Sequence, residues 1–178
     1  MFKFYFLIFT TLLFIAKTSI GETKLPHTEN LQYTPQINGK LTKKTEPIGD
    51  QNVYLRIGLS AYGKSLEIST KTDNDGRFSF SPVSGEQNSL NTPLIEHYVT
   101  IVVSVELDSE KTVVIWEGSY DGYDLDDYLI QNMKNLNCDV TNPLKYFAFS
   151  IDEDGNDDYY VNSQCELIGY IDSDLYGN

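Results

Sequence analysis

Apolar and polar side chains alternate with a period of two, in short runs separated by Gly, Asn, Asp and Pro, which predicts an all-β fold, a sandwich or a barrel. Composition points the same way: 13 Tyr and 9 Phe, with many Thr, Ser and Ile and few Ala, favour strands over helices. A length of 178 residues, 40% hydrophobic and 22% charged, suffices for one domain with its own core and a modest appendage.

The elements follow in chain order. Residues 1–21 read as a secretory signal peptide: Lys3 is the positive flank, Tyr5 to Ala16 the apolar run broken by Thr10 and Thr11, and Ser19 and Gly21 the small residues before a cleavage at Glu22. That run is shorter than the roughly 20 residues that span a bilayer, so no stable membrane anchor is expected after cleavage. Residues 22–35 are polar and aperiodic and carry Pro26 and Pro35, the marks of a flexible lead. Val53, Leu55, Ile57 and Leu59 then form an inward row, with Tyr54, Arg56 and Ser60 opposite. Leu66, Ile68 and Thr70 repeat the pattern, as do Phe78 and Phe80. A long loop from Pro82 to Pro93 leads to the clearest row: Val99, Ile101, Val103, Val105 and Leu107. Lys111 to Ser119 is the next strand, centred on Val113, Ile115 and Trp116. Asp126 to Met133 is expected to be helical, with Asp124 or Asp126 as N-cap. Tyr146 to Ile151, Tyr159 to Val161 and Glu166 to Ile171 complete the expected strands.

The net charge is −13, from 13 Lys and Arg against 26 Asp and Glu, which argues against a nucleic-acid binder. Its distribution is uneven. Residues 22–105 hold nine acids and eight bases, whereas residues 106–178 hold seventeen acids and only Lys111, Lys134 and Lys145. Cys138 and Cys165, the only cysteines, both fall in the acidic half. In an oxidising compartment an even count favours pairing, worth roughly 3 to 4 kcal/mol through the unfolded state, although two buried thiols satisfy the count as well.

Two acidic clusters invite a functional reading. Asp152, Asp154, Asn156 and Asp158 fall at the first, third, fifth and seventh positions of an EF-hand loop. Asp157 stands where that loop requires Gly, and Ser163 where it requires Glu, so a polar hairpin tip explains the same residues and no metal or other cofactor is expected. Asp121, Asp124, Asp126 and Asp127 interleave with Tyr120, Tyr123 and Tyr128. A solvated helix start accounts for them; so does a recognition patch in which carboxylates steer a partner and tyrosines supply contact area. Catalytic constellations are sparse. Gly58-x-Ser60-x-x-Gly63 is one residue too long for a nucleophile elbow, and His27 and His97 have no evident acid–base partner.

Thr72-Asp73-Asn74-Asp75-Gly76-Arg77-Phe78 is the best local signal, an Asx turn whose Gly supplies a positive φ before a strand. Upstream lie Asn38-Gly39-Lys40-Leu41 and Glu46-Pro47-Ile48; downstream lie Pro93-x-x-Glu96, Ile115-Trp116 and Leu136-Asn137-Cys138-Asp139. In this order they resemble the prealbumin-like, or carboxypeptidase regulatory-like, β-sandwich, and a family of exported bacterial proteins with no assigned activity built on it. The resemblance covers roughly residues 36–142 and implies a prealbumin-like (Ig-like) sandwich of about seven strands, with no catalytic residues to carry over. The expected organisation is therefore a signal peptide (1–21), a flexible lead (22–35), the sandwich (36–142) and an acidic C-terminal β extension (143–178) packed on it.

The expected function is that of a periplasmic or secreted binding protein and not an enzyme. Its expected partner is a basic protein, met by Asp121, Tyr123, Asp124, Asp126, Asp127, Tyr128, Asp152, Asp154, Asp157 and Asp158. The concrete form is an immunity protein that neutralises a basic secreted toxin. The alternatives are a carbohydrate- or cell-surface-binding sandwich using exposed Tyr and Trp116, and an accessory domain of an envelope assembly.

Overall fold

In the computed structural model the apolar rows meet across a two-layer core, an all-β sandwich with one short helix. The structure describes residues 28–60, 63–88, 98–107, 111–121, 124–150 and 158–175. The larger sheet is antiparallel throughout. It contains β4 (Asn52–Leu59), β5 (Lys64–Lys71), β8 (Tyr98–Leu107), β9 (Lys111–Asp121), β11 (Lys145–Ser150), β12 (Asp158–Ser163) and β14 (Asp172–Leu175). Their spatial order is β14-β11-β12-β9-β8-β4-β5. The smaller sheet centres on β2 (Ile37–Lys43), which pairs with β3 (Glu46–Pro47), β6 (Arg77–Phe80) and, in parallel, β10 (Leu136–Asp139); β13 (Cys165–Glu166) closes it against β10. A ribbon of β1 (Thr28–Thr34) and β7 (Val83–Asn88) prolongs the β2–β6 pair past Pro35 and Pro82. Helix α1 (Asp127–Met133) buries Leu129 and Met133.

The inward rows behave as period-two burial requires. Val53, Leu55 and Ile57 lie opposite Val105, Val103 and Ile101, all buried, and face Ile37, Leu41, Phe78, Phe80, Leu136 and Cys138 of the smaller sheet. At the sheet's end the pattern persists without its reward. Leu66 and Ile68 share the inward face with Ile57 and Leu55, yet are 42% and 40% exposed on edge strand β5.

Several expectations need correction. Residues 28–34 belong to β1 and not to a flexible lead, and β7 occupies part of the Pro82–Pro93 loop; each has too polar a sequence to show alternation, and each finds its pairing in the other. Within residues 36–142 the described strands are β2 to β10, nine against the seven or so expected, the excess including the two-residue β3, which is defined by its partner alone. Glu166–Ile171 is not one strand: β13 ends at Glu166 and β14 begins at Asp172. The proposed signal peptide lies outside the described residues.

The Asx turn forms as its sequence dictates. The Asp73 carboxylate accepts the amides of Asp75 (2.9 Å) and Arg77 (2.8 Å), and Gly76 adopts φ 75°. A Cβ on Gly76 would lie 2.4 Å from the Leu41 carbonyl oxygen, whose own residue donates its amide to Gly76 O at 2.8 Å. One strand over, a Cβ on Gly39 would lie 2.2 Å from the Phe78 ring, so the glycine is where that ring packs. Asp139 clamps the opposite end. Its carboxylate accepts the amides of Lys44 (3.1 Å) and Thr45 (2.7 Å), both at positive φ in the β2–β3 turn, as well as the Thr42 hydroxyl and the Thr141 amide and hydroxyl. Burial opposes ionisation of Asp139, but the Thr141 hydroxyl and these amides outweigh it and hold the carboxyl well below the usual range.

Two outcomes are expected. Gly76→Ala should destabilise the fold by roughly 2 to 3 kcal/mol, since both the dihedral and the Cβ position are wrong for Ala; a shift in the urea midpoint at constant slope reads this. Asp139→Asn should cost roughly 1 to 2 kcal/mol at pH 7. Because the folded pKa is depressed, the wild-type advantage is present above about pH 4 and disappears as pH falls through the folded value, so the two unfolding curves should converge in acid.

Candidate functional site

β9 ends at Asp121, and α1 begins six residues later at Asp127. Asp126 takes the N-cap position with φ −68° and ψ 149°, but its side chain makes no capping hydrogen bond. Its Oδ2 is buried and accepts no hydrogen bond among the described residues. Burial first, then the charges of Asp121, Asp127 and Asp124, push the Asp126 carboxyl above the usual carboxylate range. Asp121, Asp124 and Asp127 themselves are exposed.

Beneath these carboxylates lies a collar of tyrosines. Tyr128 stacks on Phe149 with ring centroids 4.6 Å apart and tilts against Tyr159 at 5.6 Å. Tyr120 is 1% exposed and donates its hydroxyl to Tyr33 O at 2.7 Å, tying the β1–β7 ribbon to β9. Tyr159 accepts the Asp121 amide at 3.2 Å. The Tyr120 and Tyr128 hydroxyls are pushed far up, by burial first and then by the charge of Asp126. Tyr128 therefore packs mainly within its own fold, and the outward chemistry of this end resides in Asp121, Asp124 and Asp127. Tyr123, Asp152, Asp154, Asn156 and Asp157 lie outside the described residues, as does the side chain of Asp158, whose backbone pairs with Ser150. Among the described residues no group of three or more His, Cys, Asp or Glu is placed to hold a metal ion.

The Cys138–Cys165 disulfide joins directly opposed positions of β10 and β13. Beside it runs a groove of about 510 Å³, with Phe147 and Tyr170 edge to face at 5.2 Å and with Lys145, Glu166 and Gln164 among its polar walls. Trp116 is not part of any exposed surface. It is fully buried, which overturns its assignment as an exposed glycan platform. The cause is a β-bulge: Val103 pairs with Trp116 and Ser104 with Val114, so Ile115 is an extra residue and both Ile115 and Trp116 turn inward. Sequence reasoning also passed over Asp139 as a clamp; the only local hint is the Asp139-x-Thr141 turn.

Asp126→Asn should stabilise the protein at neutral pH, by roughly 0.5 kcal/mol, a small gain because the carboxyl is partly solvated. With the folded pKa raised, the wild type gains relative stability as pH falls through that value, and the variant should lack this segment of the pH–stability profile. Thermal melts of both proteins between pH 4 and 7 measure the difference.

Comparison with known proteins gives one match, which spans β2 to the turn after β10. No curated protein matches the chain, and no solved structure does. Residues 37–143 match the model described as a domain of unknown function (DUF6795), and the chain belongs to that family.

Proposed function

We propose that this chain is an exported, non-enzymatic binding protein on a prealbumin-like sandwich, and that its acidic C-terminal half engages a basic protein. The observation that carries this is the segregation of charge. Residues 106–178 hold seventeen acids and three bases, and Glu117, Asp121, Asp124, Asp127, Asp172 and Asp174 are exposed with no ion pair among the described residues. The ion pairs described, Arg56–Glu67 and Lys71–Asp50, both lie in the other half. Exposed carboxylates without ion partners produce a field that accelerates encounter with a basic surface. The concrete form is a periplasmic immunity protein that occludes a basic antibacterial toxin. A disulfide and the absence, among the described residues, of any helix long and apolar enough to cross a membrane are compatible with export.

A second reading, a carbohydrate- or cell-surface-binding module, draws on the groove beside the disulfide, where the exposed Tyr170 ring stands among amide and charged side chains. Trp116 has no part in it.

The test pairs protection with kinetics. Cells producing a basic antibacterial toxin that this protein binds should survive when the protein is exported with it. Association of the purified pair should slow steeply as salt rises, and Asp121→Asn, Asp124→Asn and Asp127→Asn combined should lower the on-rate several-fold while leaving the melting temperature unchanged. Absence of protection together with salt-indifferent binding rejects the proposal; glycan retention lost on Tyr170→Ala moves the function to the second reading.

A further inference from the structure

The outer face of the larger sheet carries a feature that the acidic helix start does not explain. Tyr146 on β11 and Tyr160 on β12 stack there with ring centroids 5.2 Å apart and planes 23° from parallel, and Tyr160 is 53% exposed. Register places carboxylates on either side of the pair. One row across the strands reads Glu117, Asn162, Tyr146, Asp174, and the neighbouring row places Ala148 between Tyr160 and Asp172. Glu117, Asp172 and Asp174 are exposed, and the outward positions of this face on β9, β12, β11 and β14 carry no Lys or Arg among the described residues. Lys145 pairs with inward-facing Ser163, which puts it on the opposite side of the sheet.

We infer that this face docks an arginine-bearing extended segment of a protein partner, with a guanidinium lying on the Tyr160 ring and hydrogen-bonded by Asp172 or Asp174. The chemistry selects that occupant. An exposed tyrosine face attracts a cation through its quadrupole, and a planar guanidinium both stacks on the ring and offers paired donors to a carboxylate, which a lysine ammonium cannot do. Only the short, buried Ala148 stands between Tyr160 and Asp172 in that row, so about two strand spacings, roughly 10 Å, separate their strands, a span across which a flat group above the sheet reaches both. An acidic partner or a phosphate surface is repelled by the same carboxylates. The inference rests on the basic-partner proposal and names where on the protein that partner sits.

The experiment titrates the full chain with labelled tetra-arginine and tetra-lysine peptides, read by fluorescence anisotropy at fixed ionic strength. Tetra-arginine should bind more tightly than tetra-lysine, and Tyr160→Ala should weaken it about two- to fivefold, whereas Tyr170→Ala, an exposed tyrosine elsewhere, should not. Asp172→Asn with Asp174→Asn provides a second variant that leaves the aromatic pair in place and should weaken the arginine peptide as well. Equal affinity for the two peptides, or equal effects of Tyr160→Ala and Tyr170→Ala, overturns the inference. In the protection assay the two ideas separate: if Asp121→Asn, Asp124→Asn and Asp127→Asn abolish protection while the Tyr160 and Asp172/Asp174 variants retain it, the docking face is wrong and the basic-partner function stands. If no variant affects protection, both fall.

Discussion

β2 is the strand on which the sandwich depends. Three strands pair with it, β3 from the adjacent turn and β6 and β10 from distant parts of the chain, and the last two meet it at Gly39, which has no side chain. Gly39 admits the Phe78 ring over the β2 backbone, which lets β6 approach; Leu41, fully buried, exchanges backbone hydrogen bonds with Gly76 and Ile48; and Thr42 meets Asp139 on β10. Close packing makes these contacts interdependent, since a ring that cannot sit over Gly39 displaces the strand bearing Phe80 as well. The disulfide extends this arrangement covalently from β10 to β13, and Ser163, with its hydroxyl on Ile115 O at 2.7 Å, carries it into the larger sheet.

How much of this can be read in the chain follows from how local the signal is. Val99 to Val105 alternate over a long strand buried on one face, so periodicity alone locates them and their inward side. The Asp73–Phe78 turn is equally legible, because Asx hydrogen bonding and a positive φ are properties of a few adjacent residues. Legibility ends where pairing is non-local. β1 and β7 have polar sequences that become strands only against each other, and Asp139 reaches a turn more than ninety residues earlier in the chain. Trp116 shows a different limit: an inserted residue reverses side-chain parity, and nothing local announces the insertion.

The acidic end joins two demands that conflict. Its carboxylates are useful to a charged partner only if they are exposed and unpaired, and exposed like charges placed together resist the compact state. The fold separates these roles by depth. Asp121, Asp124 and Asp127 remain in water, whereas Asp126 is drawn under them against the tyrosine collar, where its ionised form is disfavoured. Candidate contact residues were legible as a cluster of Asp and Tyr; which of them face solvent was not, because that depends on the stacking of Tyr128 on Phe149 across the core.

The strands after the family-matched segment are more than an addition at one edge. β12 pairs with β9, and β13 closes the smaller sheet, so Ile115 and Trp116 are flanked by residues synthesised well after them. A chain emerging in sequence has all of β2 and β9 available long before the segments that complete their neighbourhood, and its decisive contacts span large loops, the condition under which folding is slow. The native topology is complete only once Cys165 lies beside Cys138. Until then β10 and β9 each lack a neighbour and present raw strand edges that can pair wrongly.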